Sequence, residues 1–230
     1  MTAVPKYHRD ALYDPATAHP DEAHSILMRL IPRGSCVLEL GCSSGYLSGY
    51  MEAALGCRVT GLEIDPAAVA IAAGRCSEVY TVDLDVPGAL AVAGASGPYD
   101  VLLAAAVLEH LRQPERVLAE ARTLLKPGAR VIVSLPNIAH WRYRLLLLLG
   151  RFDYTDYGVL DRTHCHLYTV RTGRALLEQQ GYPVEALYIT GSGLQTLLNA
   201  LARRRGRPLA APVLPGLLAT ELIYVARNPG

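Results

Sequence analysis

Seven histidines, at 8, 19, 24, 110, 140, 164 and 166, stand in this 230-residue chain. An imidazole with a reference pKa of about 6.5 can take or give a proton near neutral pH. Two are singled out by position. His110 follows the apolar run Tyr99 to Ala104, and His140 follows the run Ala129 to Leu135. Two carboxylates sit in similar places: Glu63 closes the run Arg58-Val-Thr-Gly-Leu-Glu63, and Asp83 follows Glu78-Val-Tyr-Thr-Val82. Asp85 is a near-equal alternative to Asp83. A glycine turn, Gly41-Cys-Ser-Ser-Gly45, follows a fifth such run, Cys36-Val-Leu-Glu-Leu40. Glycine there lets backbone approach a ligand closely, and a helix starting at Tyr46 would aim its amides at a negative group. A carboxylate at the position of Glu63 can accept both hydroxyls of a ribose, and Asp83 can accept from an exocyclic amine. For each, a plainer reading stands beside it: a tight turn, a capping acid, a helix-start or loop histidine. The turn lacks the Gly-Lys-Ser/Thr ending of a phosphate loop and the GxGxxG spacing of nicotinamide enzymes. His164 and His166 would share a face of an extended segment, but no Cys or carboxylate stands at ligand spacing, so no metal is expected.

The elements that must position these residues follow from the pattern. Helices read over Tyr46 to Leu55, stopped by Gly56, and from Pro66, with Asp65 as N-cap. Pro114 to Leu125 carries Val117, Leu118, Ala121, Leu124 and Leu125 on one face and ends at Lys126-Pro-Gly128. Thr169 to Gln180 and Leu194 to Arg204 read as further helices, Tyr182 to Thr190 and Thr220 to Ala226 as strands. Strands alternating with helices predict a doubly wound, Rossmann-like α/β fold with a mostly parallel seven-stranded sheet. The last two strands read as an antiparallel addition at its edge. Residues 1–34 read as a helical N-terminal cover. Residues 137–168, rich in Tyr, Arg and His, lack clean periodicity and read as a lid over an acceptor pocket, with a homodimer contact as the alternative. One domain over 1–230 is expected. In such sheets ligands bind at the carboxyl ends of the strands, where strand order reverses, which is where His110, His140, Glu63 and Asp83 fall.

Composition narrows the classes. With 51% hydrophobic residues and a net charge of +1 from 22 basic and 21 acidic side chains, the chain can bury a full core but lacks the basic excess of a nucleic-acid binder. No apolar run approaches the roughly 20 residues of a membrane span, and no secretory signal is visible. Five cysteines with no CxxC pair suggest neither a disulfide framework nor a zinc site. A cytoplasmic protein with no stable membrane insertion is expected.

Five blocks occur in order at regular spacing: Val37-Leu-Glu-Leu-Gly-Cys-Ser-Ser-Gly45, Val59-Thr-Gly-Leu-Glu-Ile-Asp-Pro66, Val82-Asp83, Tyr99 to Leu111 and Leu125 to Asn137. Together they resemble the class I S-adenosylmethionine-dependent methyltransferases. The tail Leu160-Asp-Arg-Thr-His-Cys-His-Leu-Tyr-Thr169 resembles the MetW-like and UbiG-like small-molecule branch. The resemblance implies S-adenosylmethionine as cofactor. Its methionine part would lie on the loop of Glu39, Gly41, Cys42, Ser43 and Gly45, with Tyr46 starting the helix beside it. It also implies Glu63 on the ribose, Ile64 against the adenine, Asp83 and Leu84 at the adenine edge, and Ala105 along the methionine moiety. Ser43 stands where glycine is commonest, and Ala106 where many members carry a polar residue.

The implied reaction is transfer of a methyl group to a small-molecule acceptor, on O, N or C. Alignment of acceptor, methyl and sulfur is its main requirement; a base is needed only where the acceptor must lose a proton. His110, then His140, are the candidate bases. Tyr13 is the candidate aromatic near the sulfonium, with core packing as its alternative. Arg142 and Arg144, and the run Arg203, Arg204, Arg205 and Arg207, read as solvated faces, with an anionic substrate or membrane surface as the alternative. The competing functional reading is a non-catalytic adenosylmethionine-binding partner subunit. An RNA or protein methyltransferase is disfavoured by the neutral charge and by Ala104 to Leu108, where such enzymes carry an Asn/Asp-Pro-Pro-Tyr/Phe block.

Overall fold

The computed structural model describes residues 11–191, 193–204 and 212–230. Residues 1–10 of the expected N-terminal cover, and Arg205 and Arg207 of the basic run, lie outside the described residues, and Arg203 is described as helix backbone only.

The central apolar runs become strands because both their faces are covered. In β1 (Cys36–Leu40), Val37 points into one core with Ile26 and Leu27 of α1 (Ala23–Leu30) and Leu47 and Met51 of α2 (Tyr46–Leu55). Leu38 and Leu40 point into a second core on the other face, with Leu102, Leu118 and Tyr182. A strand buried on both sides shows no alternation, which is why these runs read as continuously apolar. β2 (Arg58–Glu63), β4 (Tyr99–Ala105) and β5 (Leu125–Pro136) repeat the pattern, whereas β3 (Glu78–Thr81), at the sheet edge beside β2, has no buried residue; α3 (Pro66–Ala72) and α4 (Pro114–Arg122) lie in the connections. Then come α5 (Trp141–Leu148), α6 (Val170–Gln179), β6 (Val184–Thr190), α7 (Gly193–Arg204), α8 (Pro215–Leu218) and β7 (Glu221–Arg227). The boundary signals act as read: Gly56 ends α2 at φ 66°, and the Asp65 side chain accepts the Ala67 N–H at 2.8 Å to open α3.

The sheet order is β3-β2-β1-β4-β5-β7-β6. β1 pairs in parallel with both β2 and β4, so the order reverses between β1 and β4 and a crevice opens at their carboxyl ends. Three expectations need correction. Among the described residues β7 alone runs antiparallel, and it lies inside the sheet between β5 and β6. Lys126-Pro-Gly128, read as a stop, is absorbed into β5 as an irregularity: pairing slips from Tyr99↔Leu125 to Val101↔Arg130. The segment 137–168 is only partly irregular, for it holds α5, none of whose residues is buried. A helix with no buried stripe shows no helical period, so its sequence did not announce it. Among the described residues no helix is long and apolar enough to cross a membrane.

Candidate functional site

At the carboxyl end of β1 the chain turns through three residues in the left-handed region: Gly41 at φ 67°, Ser43 at φ 49° and Gly45 at φ 72°. A Cβ on Gly41 would stand 2.8 Å from Val107 Cγ2, so only glycine fits between the loop and the residues after β4. Ser43 holds a conformation that costs a residue with a Cβ roughly 1–2 kcal/mol. What keeps it there is Glu63: Oε2 accepts the Ser43 N–H at 2.8 Å, while Oε1 accepts those of Ile64 at 2.8 Å and Asp65 at 3.0 Å.

Two further loop residues serve from behind. Glu39 is buried, and its Oε2 accepts the Ser48 hydroxyl at 2.5 Å, tying β1 to α2. Burial pushes its carboxyl up to about 8, against the smaller opposing effect of that hydrogen bond. Cys42 is buried beside Cys76, its thiol raised first by a hydrogen bond with Cys76 and then by burial. Its backbone carbonyl accepts the Gly45 N–H at 2.9 Å. The loop thus turns its side chains inward and its backbone outward, with α2 beginning behind it at Tyr46.

The ends of β2 and β3 are adjacent, with Glu63 opposite Thr81 and Val82 N–H on the Glu63 carbonyl. Ile64, just beyond, is 62% exposed, an unusual place for a bare aliphatic side chain. Asp83 is exposed, and its Oδ1 accepts the Asp85 N–H at 2.9 Å. Asp85 is committed elsewhere, accepting the Arg112 N–H at 2.8 Å and facing the Arg112 guanidinium. Of the two acids, Asp83 is the more exposed. The Leu84 side chain is buried in the core, so only its backbone can meet a ligand. Ala105 ends β4 opposite Ser134 of β5, and Ser134 accepts the Ala106 N–H, the next residue, held at φ 51°. A backbone cradle, a carboxylate with an exposed aliphatic neighbour and a second acid on the adjoining strand fit a nucleoside joined to an amino acid.

The candidate bases separate cleanly. His140 caps α5: its Nδ1 accepts the Arg142 N–H at 3.3 Å, so the proton of the neutral ring lies on Nε2 and no lone pair remains there. Burial, and after it the nearby Arg142 guanidinium, lowers its pKa. His140 is therefore a cap and not a base, against expectation. His110 follows β4 in a short turn, Leu108–His110, and is held differently. Thr163 gives its hydroxyl proton to Asp161 Oδ1 at 2.8 Å, so toward His110 Nδ1, 3.0 Å away, its oxygen can only accept. The Thr163 carbonyl, 3.3 Å from the same nitrogen, also only accepts. The proton of the neutral ring is thereby fixed on Nδ1 and the lone pair on Nε2.

Tyr13 is corrected too. It is buried, its ring stands edge-on to Tyr50 at 4.9 Å and Tyr46 at 6.1 Å, and its hydroxyl bonds with Ser25 at 2.9 Å. Core packing of the N-terminal segment is what it does. Arg144 donates to the carbonyls of Ala139 and Gly216, so it braces α5 rather than standing as a bare cation.

Sequence reasoning missed Glu109, Asp161 and Thr163. Glu109 is buried, its Oε2 has no hydrogen-bond partner, and its carbonyl accepts the N–H groups of Cys165 and His166. Burial, then repulsion from Glu221 and Asp161, pushes its carboxyl up to about 8. The signal was present: an acid beside His110 inside an apolar stretch, and Asp161 two residues before Thr163. His164 and His166 do not act as a pair, for His164 Nδ1 meets the Val159 carbonyl at 3.1 Å while His166 Nε2 meets that of Arg112 at 3.3 Å. Beyond β5 a cleft of about 220 Å³ is lined by Ile138, Tyr143, Leu147, Phe152 and Leu160, with Arg144 and Arg151 also in its wall.

Residues 16–187 match the family described as a methyltransferase domain. The ubiquinone biosynthesis O-methyltransferase of Paraburkholderia xenovorans strain LB400 is 39% identical over 106 residues, 45% of each chain. That of Burkholderia thailandensis is 36% identical over 140 residues, 60% of this chain and 59% of its own. The matched stretch thus spans about half the length of these relatives. The magnesium protoporphyrin IX methyltransferase of Synechocystis, solved with S-adenosylhomocysteine bound, shares the fold at 18% identity and a TM-score of 0.57, over 88% of this chain and 77% of its own. With the loop, the strand-end acids and this match in agreement, the chain belongs to the class I S-adenosylmethionine-dependent methyltransferase family.

Proposed function

We propose that the chain works as one methyltransferase domain that moves a methyl group from S-adenosylmethionine to a hydroxyl of a small, largely apolar molecule. The carrying observation is His110, whose Nε2 lone pair is fixed by the Asp161–Thr163 relay at the carboxyl end of β4. An amine or activated carbon acceptor has less need of such a group. The O-methyltransferase relatives and the mostly apolar cleft beyond β5 support the same reading. A subunit that only bound cofactor would have no use for an imidazole held in one tautomer, so the partner-subunit reading is not favoured.

The bound cofactor supplies a methyl carbon on a positively charged sulfur that leaves as a neutral thioether. The protein's share is placement. The loop from Gly41 to Gly45 and Glu63 hold the two ends of the cofactor, Ile64 and Asp83 hold the base, and the segment 137–168 covers the acceptor. His110 Nε2 draws off the hydroxyl proton as the oxygen closes on the methyl carbon. The setting proposed is the cytoplasm, with no nucleic-acid partner. The test is turnover with S-adenosylmethionine against matched phenol and aniline acceptors of similar shape. Methylation of the phenols in preference to the anilines is expected, and the reverse preference overturns the O-methyl reading.

A further inference from the structure

We propose that Cys42 and Cys76 form a reversible modification site, at which hydrogen peroxide joins the two thiols as a disulfide and so slackens the hold of the loop after β1 on the cofactor. Cys42 belongs to that loop, and Cys76 lies between α3 and β3. Neither is in a disulfide in this structure. A Cβ placed on Gly61, in the interior of β2, would stand 2.6 Å from Cys42 Sγ and 3.4 Å from Cys76 Sγ. The two sulfurs therefore share one space over β2, and the Cys42 thiol donates to Cys76 there. Glycine inside a strand weakens it and marks a close approach of other groups; at Gly61 the groups that approach are these sulfurs.

The pair is unequal. Cys76 is half-buried and Cys42 is buried. The hydrogen bond from Cys42 lowers the Cys76 pKa; burial and the charge of Glu52 oppose it, and the Arg75 guanidinium acts with it. The same hydrogen bond, then burial, raises the Cys42 pKa. Oxidants react with the thiolate, so a partly exposed thiol whose surroundings favour its charge reacts first. Cys76 meets both conditions, and Cys42 stands behind it as the resolving thiol.

The Cys76 thiolate attacks one oxygen of hydrogen peroxide. The S–O bond forms, the O–O bond breaks, and the hydroxide that leaves takes up the proton lost by Cys76, giving water and a sulfenic acid. The Cys42 sulfur then attacks Cys76 Sγ. The S–S bond forms, the S–O bond breaks, and the departing hydroxide takes the Cys42 thiol proton as a second water. Two thiols thus lose two electrons and two protons, and one peroxide becomes two waters; a dithiol reductant reverses the change. The new bond holds the sulfurs at about 2.0 Å, closer than a hydrogen bond between them, and so draws Cys42 towards Cys76. Cys42 sits between Gly41 and Ser43, both in the left-handed region, so a shift there turns the backbone groups that the loop presents. The inference rests on the loop holding the cofactor, as proposed above, and not on the nature of the acceptor.

The test treats reduced protein with a small excess of hydrogen peroxide, caps the remaining thiols by alkylation and maps the links by tandem mass spectrometry. Calorimetry follows S-adenosylhomocysteine binding before oxidation, after it, and after dithiothreitol. A Cys42–Cys76 link is expected, with a Kd at least tenfold weaker that dithiothreitol restores. Cys76→Ser and Cys76→Ala should form no such link and keep their affinity through the treatment; the wild-type measurements stand without them should either fail to fold. Peroxide that leaves Cys42 and Cys76 unlinked in the wild type overturns the proposal, as does a link that leaves the Kd unchanged or an equal loss of affinity in a folded Cys76 variant. Link formation needs no cofactor. Its absence beside intact S-adenosylhomocysteine binding by reduced protein therefore sinks this inference alone, whereas reduced protein that binds no S-adenosylhomocysteine sinks the cofactor reading of the loop and the coupling with it.

Discussion

The carboxylate of Glu63 accepts the backbone N–H of Ser43 at 2.8 Å. One acid at the end of β2 thus holds the left-handed turn after β1; with Glu63 also on the ribose, as proposed, binding and loop shape would be coupled through it.

Glu63→Ala should therefore lose more than a ribose contact. A hydrogen bond to a charged group contributes about 1.5–3 kcal/mol, so calorimetry with S-adenosylhomocysteine should show at least a tenfold weaker Kd. Affinity equal to wild type would remove Glu63 from the ribose. Glu63→Gln, which keeps an acceptor for Ser43, should fall between the two.

His110 and His140 should part company. His110→Ala is expected to lower turnover about 10²-fold near neutral pH and to remove the acidic limb of the pH–rate profile. His140→Ala should leave the rate close to wild type but cost about 0.5–2 kcal/mol of stability, as lost helix caps do. A rate loss in His140→Ala as large as in His110→Ala would refute the tautomer assignment.

Glu39 makes stability depend on pH. Its folded-state pKa, about 8, lies above the ordinary value of 4.5. Its contribution is thus fully present below about pH 4.5, declines as pH rises through the interval and is lost above about pH 8. Glu39→Gln keeps an acceptor for Ser48 without the titration. Denaturant unfolding should show a slope between these pH values shallower than wild type by up to about 1.4 kcal/mol per pH unit. Parallel curves for the two proteins would contradict a buried, neutral Glu39.

The segment 137–168 should be mobile at one end and held at the other. Leu147, Leu148 and Leu149 are more than half exposed, while Cys165 and His166 donate to the Glu109 carbonyl. Hydrogen exchange should be fast over 141–157 and slow at 165–166, with added protection over 141–157 when cofactor and acceptor bind. Strong protection of 141–157 in the free protein, unchanged on binding, would contradict a cover.

The fold, and the strand ends that carry Glu63 and Asp83, were legible because local chemistry dictates them. Asp65 with Pro66, Gly56 and the doubly buried runs carry their meaning within a few residues, and Glu63 lies at a strand end any parallel sheet would put beside the loop after β1. The acceptor side was not. Whether His110 or His140 offers a lone pair is decided by Thr163, 53 positions away from His110, and by a cap on a helix that has no apolar stripe. Glu109 escaped notice because its weight comes from burial among Leu108, Asp161 and the chain at 165–166, which spacing along the sequence does not reveal. Tyr13 went to the core because Ser25 satisfies its hydroxyl there.

The place of β7 bears on how the molecule is made. Among the described residues β6 pairs with β7 alone, and β7 is the later of the two in the chain. A ribosome delivering the polypeptide from its amino end releases β6 before any neighbour exists to receive it, so that strand must wait, its edge unsatisfied, until the 221–227 stretch emerges and slots in against β5. The five strands before it can already zip together in parallel. Assembly should then occur in two stages, and a stop codon just ahead of residue 221 should remove one strand from the sheet and strand a second. Such a truncated product would expose the free edges of β5 and β6 and become a substrate for chaperones or proteases rather than a smaller version of the same domain.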